Sequence, residues 1–497
     1  MTIADWLPFS VLVPLIAAPV CAILPGRILP WALTLTAAVG AATISALVLP
    51  VAMDETLVYS FGDWPAPIGI EYRVDAANAF VAVLVSAMAA LAVLWGRVSV
   101  NQHLGARQGP FYGLFLLAFA GLMGITMTGD AFNVFVFLEI SSLSTYALIA
   151  HGTDRRALVA SFRYLIMGTI GATFFLIGVG FLYIMTGTLN MADLAQRLPE
   201  VHDTSTVQAA LAFIVVGLGL KLALLPLHMW LPNAYTYAPN FVTVFIAGTA
   251  TKVALYVMLR FVFTVFGAEF AFSALPLAGV LMALAVAGML VASWIAIFQI
   301  NLKRLLAYSS IAQVGYMVLG ASLATVAGLT ATVLHLFNHA LIKTALFMAA
   351  GAIIHRTGSM HIEALRGLGK SMPWTFVAFV LAGLSIIGVP TTAGFISKWY
   401  LIVAAMDAGR WWLVAVIVIS SLMAIAYIWK VVETAWFRER TAPGPAPGEA
   451  PLALLIPTWM LVALNFWFGL DTRLSVSAAT AAAEALIGPG TGAGYVP

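Results

Sequence analysis

The stretch VVGLGLKLALLPLHMWLP, residues 215–232, decides the class of this protein. Lys221 lies in the middle of this apolar run, which Gly217, Gly219 and Pro226 interrupt on both sides of the lysine. A charge at such a depth costs several kcal/mol in a membrane, and a helix broken there frees backbone carbonyls to meet ions and water. The stretch therefore predicts a broken transmembrane helix of the kind that lines an ion pathway.

The composition extends this interpretation to the whole chain. Of its 497 residues, 62% are hydrophobic and 9% are charged, whereas a soluble domain is roughly 45 to 50% apolar and about 25% charged. Lipid is the solvent that accepts so apolar a surface, so nucleic-acid-binding, secreted and cytosolic enzyme classes are excluded. The single cysteine, Cys21, excludes an intrachain disulfide and any iron–sulfur or zinc site held by thiolates. We expect no cofactor.

The apolar stretches predict fourteen transmembrane helices. Each has about the 17 to 25 residues that are needed to cross the hydrocarbon core, and backbone hydrogen bonding in lipid requires a helix. The first stretch is preceded by Asp5 and by no Lys or Arg, so we interpret it as a retained span and not as a signal peptide. The stretches lie near 7–24, 29–52, 75–96, 110–128, 131–150, 161–186, 208–228, 240–266, 273–298, 303–323, 326–350, 374–405, 411–435 and 451–470.

The basic residues orient these spans. With the N-terminus outside the cytoplasm, fourteen of the 23 Lys and Arg residues fall inside and five outside, as the positive-inside rule requires. The inside set is Arg27, Arg97, Arg107, Arg155, Arg156, Arg163, Lys303, Arg304, Arg356, Arg366, Lys370, Lys430, Arg438 and Arg440, and the outside set is Arg73, Arg197, Arg260, Arg410 and Arg473. The remaining four, Lys221, Lys252, Lys343 and Lys398, lie near the middle of apolar spans.

A carboxylate accompanies these lysines. Glu139 lies in the middle of the fifth span, just before several Ser and Thr residues, and acids inside a membrane are functional by default. The alternative is a protonated glutamic acid that packs against a neighbour. His228 follows Lys221 by seven residues, which on a continuous helix places both near one face. The alternative for Lys221 is snorkelling, which suits residues near span ends.

A second interrupted span, IIGVPTTAGFISKWYLI at residues 386–402, carries Lys398. Two broken segments placed five spans apart predict two inverted five-helix repeats, spans four to eight and nine to thirteen. The same spacing pairs Lys252 with Lys430. The predicted domains are N-terminal scaffold helices at 1–109, a first repeat at 110–270, a second repeat at 271–440, and a Pro/Gly linker with the last span and tail at 441–497.

The eleventh span carries His335, His339 and Lys343 at i, i+4 and i+8, a stripe along one helix face. Such a ladder in lipid indicates a proton relay. One alternative is a pair of ordinary hydrogen-bonded histidines. A metal site is disfavoured because no carboxylate or cysteine lies near to complete it, so we expect no metal. In the tenth span Tyr308 begins a group of polar residues that either hold water or join helices.

Five segments together resemble the proton-translocating antiporter module that is shared by respiratory complex I, membrane-bound hydrogenases and Mrp-type sodium/proton antiporters. They are FLEISSLSTYAL from Phe137, KLALLPLHMWLP from Lys221, NLKRLLAYSSIAQVGYM from Asn301, HLFNHALIKTALFMAAG from His335 and GVPTTAGFISKWY from Gly388. The resemblance implies roles for individual residues. Glu139 and Lys221 would form a coupled pair, Lys252 and the helix of His335, His339 and Lys343 would carry protons laterally, and Lys398 would gate their exit, with His228, Tyr308 and Lys430 as accessory candidates.

The length of the chain and the segment GDWPAPIGIEYRVDAANAF, residues 62–80, are most similar to the D-type subunits of Mrp antiporters. This implies a non-enzymatic, proton-translocating subunit of a multisubunit sodium/proton antiporter, multi-pass in a bacterial inner membrane. Its partners would be other subunits, protons, sodium or another monovalent cation, and lipid, without nucleic acid. The alternatives are a pump subunit of a complex I-type oxidoreductase or membrane-bound hydrogenase, a passive channel or scaffold subunit, and a stand-alone carrier.

Overall fold

The computed structural model describes residues 2–105, 108–441 and 445–488. Within these ranges thirteen helices are long and apolar enough to cross a membrane, so the chain is an all-α, multi-pass membrane protein, as predicted. Three parts of the sequence-based predictions lie outside the described residues: Arg107, residues 442–444 of the linker and residues 489–497 of the tail.

The helices are named here in chain order. They are α1 (Phe9–Ile23), α2 (Ile28–Asp54), α3 (Ala76–Leu104), α4 (Gly109–Met127), α5 (Ala131–Ala150), α6 (Arg156–Thr186), α7 (Met191–Arg197), α8 (Ser205–Leu222), α9 (Leu231–Tyr237), α10 (Asn240–Gly248), α11 (Ala250–Leu259), α12 (Ala268–Ser273), α13 (Leu277–Ile297), α14 (Leu302–Ser322), α15 (Val326–Thr357), α16 (Pro373–Ile387), α17 (Ala393–Asp407), α18 (Trp412–Trp436), α19 (Leu452–Leu470) and α20 (Arg473–Ile487). A π-helical segment, Arg260–Val265, continues α11.

Several spans begin at a side chain that accepts from the free backbone N–H groups of the first turn. Asp75 caps α3, Asp130 caps α5, Asn301 caps α14 and Thr325 caps α15. Asp, Asn and Thr are favoured at this position because a helix N-terminus leaves donors without partners. These caps fix where the polar loops end and the buried helices start.

Both predicted helix breaks are present. Helix α8 ends at Leu222, Ala223 adopts a left-handed φ of 60°, and the chain becomes helical again only at α9. Helix α16 ends before Gly388, whose φ of 91° suits a residue without a Cβ, and α17 begins at Ala393. The predicted twelfth span is therefore a pair of half-helices, which accounts for thirteen continuous spans where the sequence predicts fourteen.

Several short elements lie outside the predicted spans, among them a hairpin, α7 and α20. A short antiparallel hairpin, β1 (Leu57–Ser60) and β2 (Glu71–Val74), lies between α2 and α3. Helix α20 follows the last span, where the sequence predicted only a tail. Its small residues are buried against α3 and α15, and it escaped prediction because it is too short and too polar to cross a membrane.

Helix α15 lies at the centre of the bundle. It packs against α3, α10, α14, α16, α17, α19 and α20, and nearly all of its side chains from Gly328 to Ile353 are buried. Helix α14 is buried along its whole length. Polar side chains on these two helices therefore face protein and not lipid, which is what an internal relay requires.

Candidate functional site

The four central lysines are all inside the protein. Their exposed fractions are 6% for Lys221, 1% for Lys252, 0% for Lys343 and 5% for Lys398. Snorkelling is thereby wrong for Lys221. A buried ammonium needs hydrogen-bond partners to offset the loss of water, so the acceptor of each lysine defines its local chemistry.

Lys221 sits in the last turn of α8, next to the break. Its Nζ donates to the Ser142 hydroxyl of α5 at 2.6 Å. Glu139 lies one turn earlier on α5, but it makes no ion pair within 4.0 Å among the described residues, and its buried Oε1 has no hydrogen-bond partner there. Glu139 and Ser142 lie three residues apart on α5, so the Glu139 carboxylate is near the side chain that holds Lys221 but is not within 4.0 Å of its ammonium.

A small cavity adjoins this lysine. Its volume is about 30 Å³, and Lys221 and Ser142 line it together with Ala250, Val253 and Ala254 of α11. A cavity of about 10 to 15 Å³ holds one water when polar partners are present. This space therefore has room for water between Lys221 and the helix that carries Lys252.

Lys252 lies just after a joint in the eighth span. Thr249 between α10 and α11 departs from helical geometry, and the Lys252 ammonium donates to the carbonyl of Ala247, on the α10 side of that joint. The irregular backbone supplies the acceptor, as expected for interrupted helices that surround an ion pathway.

The two histidines of α15 have different surroundings. His335 is bonded on both ring nitrogens, to the Ser397 hydroxyl at 2.8 Å and to the Gln313 side-chain oxygen at 3.0 Å. His339 stacks on it with ring centroids 6.2 Å apart, yet neither of its ring nitrogens has a partner among the described residues. His335 is therefore fixed by its neighbours, while His339 is free to bond water or a second group.

Lys343 completes the stripe on α15. Its ammonium donates to the carbonyl of Leu306 at 2.9 Å and to the Ser309 hydroxyl, both on α14. Two members of the polar group in the tenth span, Ser309 and Gln313, are thus direct hydrogen-bond partners of α15.

Lys398 lies after its helix break, whereas Lys221 precedes its own. The Lys398 ammonium reaches back to the break and donates to the carbonyls of Ile386 at 2.9 Å and Ile387 at 3.0 Å, and to Ser421 at 2.9 Å. It also lies 4.7 Å from the ring centroid of Tyr316. The two lysines are therefore not at equivalent places along their broken helices, although both ammonium groups are buried beside a break.

Of the three accessory candidates, His228 is placed differently from the sequence expectation. His228 does not share a helix with Lys221, because the chain leaves the helix at Ala223 between them, so the face inferred from seven-residue spacing is wrong. His228 is buried beside Tyr308, with ring centroids 6.3 Å apart. Lys430 caps the carbonyls of Ile297 and Gln299 at the end of α13 and lies outside the group of buried lysines.

Two charged features were missed by reasoning from the sequence. Lys303, assigned to an inside helix end, is 3% exposed. Arg260, assigned to the opposite side, is buried and forms an ion pair at 2.7 Å with the partly buried Asp75. Burial opposes ionisation of Asp75, but the Arg260 guanidinium and the amides of Asn78 and Ala77 outweigh it and lower the pKa of that carboxyl. Within the described ranges no three His, Cys, Asp or Glu side chains are grouped as a metal site would need.

The chain is similar to known membrane proteins along most of its length. A family model described as "NADH:quinone oxidoreductase/Mrp antiporter, TM" matches residues 128–424. The NADH-quinone oxidoreductase subunit N of Desulforudis audaxviator is 47% identical over 424 residues, 83% of this chain and 84% of that protein. The D-type subunit of the Na(+)/H(+) antiporter from Bacillus subtilis is 31% identical over 488 residues, 96% of each. A chain of the Mrp complex from Dietzia sp. DQ12-45-1b superposes with a TM-score of 0.90 at 27% identity, covering 99% of this chain and 98% of that one.

Proposed function

The chain belongs to the NADH:quinone oxidoreductase/Mrp antiporter transmembrane family, and from that premise we propose that it moves protons through the line of buried groups Glu139, Lys221, Lys252, His335, His339, Lys343 and Lys398. It is a transporter subunit and not a catalytic enzyme, and the solved relative is part of a multisubunit complex, so other subunits are its partners. We infer that the complex exchanges sodium or another monovalent cation for protons in a bacterial inner membrane.

One observation supports this function above the others. Each central lysine is buried and donates to a neutral oxygen, namely a serine hydroxyl or a backbone carbonyl. A neutral acceptor stabilises the ammonium without holding it as tightly as a buried carboxylate would. Each lysine can then lose its proton to a neighbouring water or imidazole, which a relay requires and a passive scaffold does not.

In this proposal Glu139 and Lys221 are coupled because the Lys221 ammonium changes its hydrogen-bond acceptor. Glu139 and Ser142 lie one turn apart on α5, so a swing of the Glu139 side chain brings a negative charge toward the ammonium that Ser142 now holds. An opposite charge within about 4 to 6 Å favours the charged lysine. Approach of the carboxylate then loads Lys221, and withdrawal releases its proton toward the small cavity and Lys252.

A test uses the assembled complex in everted membrane vesicles. Lys252→Ala should abolish sodium-driven proton movement while leaving the amount of complex unchanged, because Lys252 is the step between the small cavity and α15. Lys370→Ala, at an exposed lysine, is the matched control and should transport normally. Normal transport by Lys252→Ala would contradict the relay.

The second candidate is a pump subunit of a redox-driven complex. The relative that is 47% identical is a NADH-quinone oxidoreductase subunit. This favours membership in a redox-driven complex, in which the proposed proton relay would be the same. Purification through a tag on this chain, with identification of the co-purified subunits, separates the two. Antiport without an electron donor supports the antiporter, whereas proton movement only with a reductant and a quinone supports the redox complex.

A further inference from the structure

A polar cavity of about 150 Å³ opens where five segments of the chain meet. The end of α3, the turn before α6, the junction of α9 and α10, the start of α14 and the end of α15 all line it. Its polar lining includes Gln102, His103, Asp154, Asn240, Lys303 and His355. We call this space the basic-side cavity, because Arg155, Arg304 and Arg356 adjoin its lining residues in the chain.

Lys303 is the unusual residue of this cavity. It is 3% exposed, and its ammonium donates to the carbonyl of Ala238 at 2.7 Å and to the Asn240 side-chain oxygen at 3.4 Å. An ammonium has three donors, so one N–H remains for water in the space that Lys303 lines. No carboxylate lies within 4.0 Å of it among the described residues.

The charge of Lys303 is energetically unfavourable at this position. Lys303 occupies the first turn of α14, where the helix dipole disfavours a cation, and its burial removes the water that stabilises the charge. A residue kept only for solubility or for membrane orientation would point outward into water. The position of Lys303 therefore calls for a role that depends on a buried and exchangeable charge.

Helix α14 links Lys303 to Lys343 of the proposed relay. Lys303 and Leu306 are three residues apart on α14, about 4.5 Å along the helix axis, and side chains at this spacing are neighbours. The carbonyl of Leu306 accepts a hydrogen bond from Lys343. Helix α14 thus carries one buried ammonium, that of Lys303, which donates to the α9–α10 junction, and one turn later accepts a hydrogen bond from a second, that of Lys343.

We propose that the basic-side cavity is a proton intake and that Lys303 passes protons from its water inward along α14, toward Lys343. The proposal rests on the proposed function and adds the place where protons reach the central helix. In the first step an O–H bond of protonated cavity water breaks as an N–H bond forms on neutral Lys303. In the next step an N–H bond of the Lys303 ammonium breaks as a bond forms on the acceptor that leads to neutral Lys343, and the positive charge moves inward with the proton. Asn240, which follows the irregular chain at Pro239, holds Lys303 in place without taking part in the transfer.

The first test compares two substitutions of Lys303 in the complete complex. Lys303→Gln lacks the exchangeable proton, and Lys303→Arg keeps the charge and the donors but does not deprotonate. Both should slow antiport about a hundredfold or more, which is what removal of a positioned proton-transfer group costs. Lys370→Gln is the control. A wild-type rate in Lys303→Arg, with normal assembly, would reduce Lys303 to a structural cation and overturn the proposal.

The second test asks whether the cavity is open to water, and it does not depend on any substitution of Lys303. Thr153→Cys places a thiol at the exposed wall of the cavity, and Arg155→Cys places one two residues away in the same turn but outside the lining. Native Cys21 is buried, so the wild-type chain is the blank. A bulky, membrane-impermeant thiol reagent applied from the basic side should block transport in the Thr153→Cys complex. It should leave transport by the Arg155→Cys and wild-type complexes unchanged.

The outcomes separate this proposal from the function on which it rests. Labelling of Thr153→Cys without loss of transport, or no labelling at all, would show that protons do not enter through this cavity. Loss of transport in Lys252→Ala together with normal transport in Lys303→Gln would leave the relay intact and refute the intake alone. Absence of proton movement in the wild-type complex, both with sodium and with a reductant and a quinone, would refute the function itself.

Discussion

The hydrogen bond between Lys221 and Ser142 gives a prediction with a magnitude. Ser142→Ala removes a buried acceptor that lies 2.6 Å from an ammonium. Hydrogen bonds to charged groups contribute about 1.5 to 3 kcal/mol, and about 1.36 kcal/mol corresponds to a tenfold change in proton concentration. Water in the adjoining cavity of about 30 Å³ recovers part of this loss. We therefore expect loading of Lys221 to need a proton concentration about tenfold higher.

The assay is the pH dependence of antiport in everted vesicles, followed with a pH-sensitive dye after addition of sodium. In Ser142→Ala the alkaline limb of the rate profile should move toward acid by about one pH unit. Ser144→Ala is the matched control, because Ser144 is similarly buried on the same helix but donates to the carbonyl of Ile140. Its profile should stay at the wild-type position.

Two results would refute this reasoning. An unshifted profile in Ser142→Ala would mean that Lys221 is loaded from another partner, and an equal shift in Ser144→Ala would mean that the change reports packing of α5. The same assay tests the coupled pair. Glu139→Gln and Lys221→Ala should each abolish antiport, and the double variant should be no worse than the worse single one, because residues that act as a unit are not additive.

Four other sites in the chain give predictions of their own. A reporter fused after Arg440 should be cytoplasmic and one at the C-terminus periplasmic; the reverse pattern would overturn the orientation. His339→Ala and Lys343→Ala should each impair antiport with normal assembly, whereas loss of protein with normal specific activity would indicate a packing role. Lys398→Arg should fail because arginine does not release its proton, and wild-type antiport there would show a purely electrostatic site. Asp75→Asn keeps the helix cap but leaves Arg260 without its countercharge, so the Tm of the complex should fall by an amount equivalent to about 3 to 5 kcal/mol. The pKa of Asp75 is lowered in the folded chain. The ion pair therefore contributes its full stabilisation above the unfolded pKa of about 3.9, and this stabilisation is lost as pH falls through the pKa of Asp75 in the folded chain. Equal Tm values at neutral pH would contradict it.

Local sequence signals predicted the membrane class and the helix breaks. Proline beside a buried lysine predicts a break because it removes a helical hydrogen bond, and glycine does so because it adopts backbone conformations that end a helix. The stripe of His335, His339 and Lys343 was predictable for a similar reason, because spacing within one helix fixes a face. These features depend on residues that are near one another in the chain.

Partners on other helices were beyond such reasoning. Ser142 and Lys221 are 79 residues apart, and no periodicity says which serine of the fifth span faces the lysine. His228 shows the opposite error, since a spacing rule was applied across a break that ends the helix. Lys303 was counted with the inside cations because it begins a span, and only the packing of α14 and α15 shows that it is buried.

The arginines and the lysines of the described residues differ in their partners. In the described part of the chain the ion pairs use arginine, and the most buried of them, Arg260 with Asp75, ties the start of α3 to the end of α11. No described lysine lies within 4.0 Å of a carboxylate. Arginine stays charged and is suited to a permanent tie, while lysine on a neutral acceptor can change its charge. Exchanging the two types should therefore be asymmetric: Arg260→Lys should retain antiport and lose stability, whereas arginine at Lys252 should retain the fold and lose antiport.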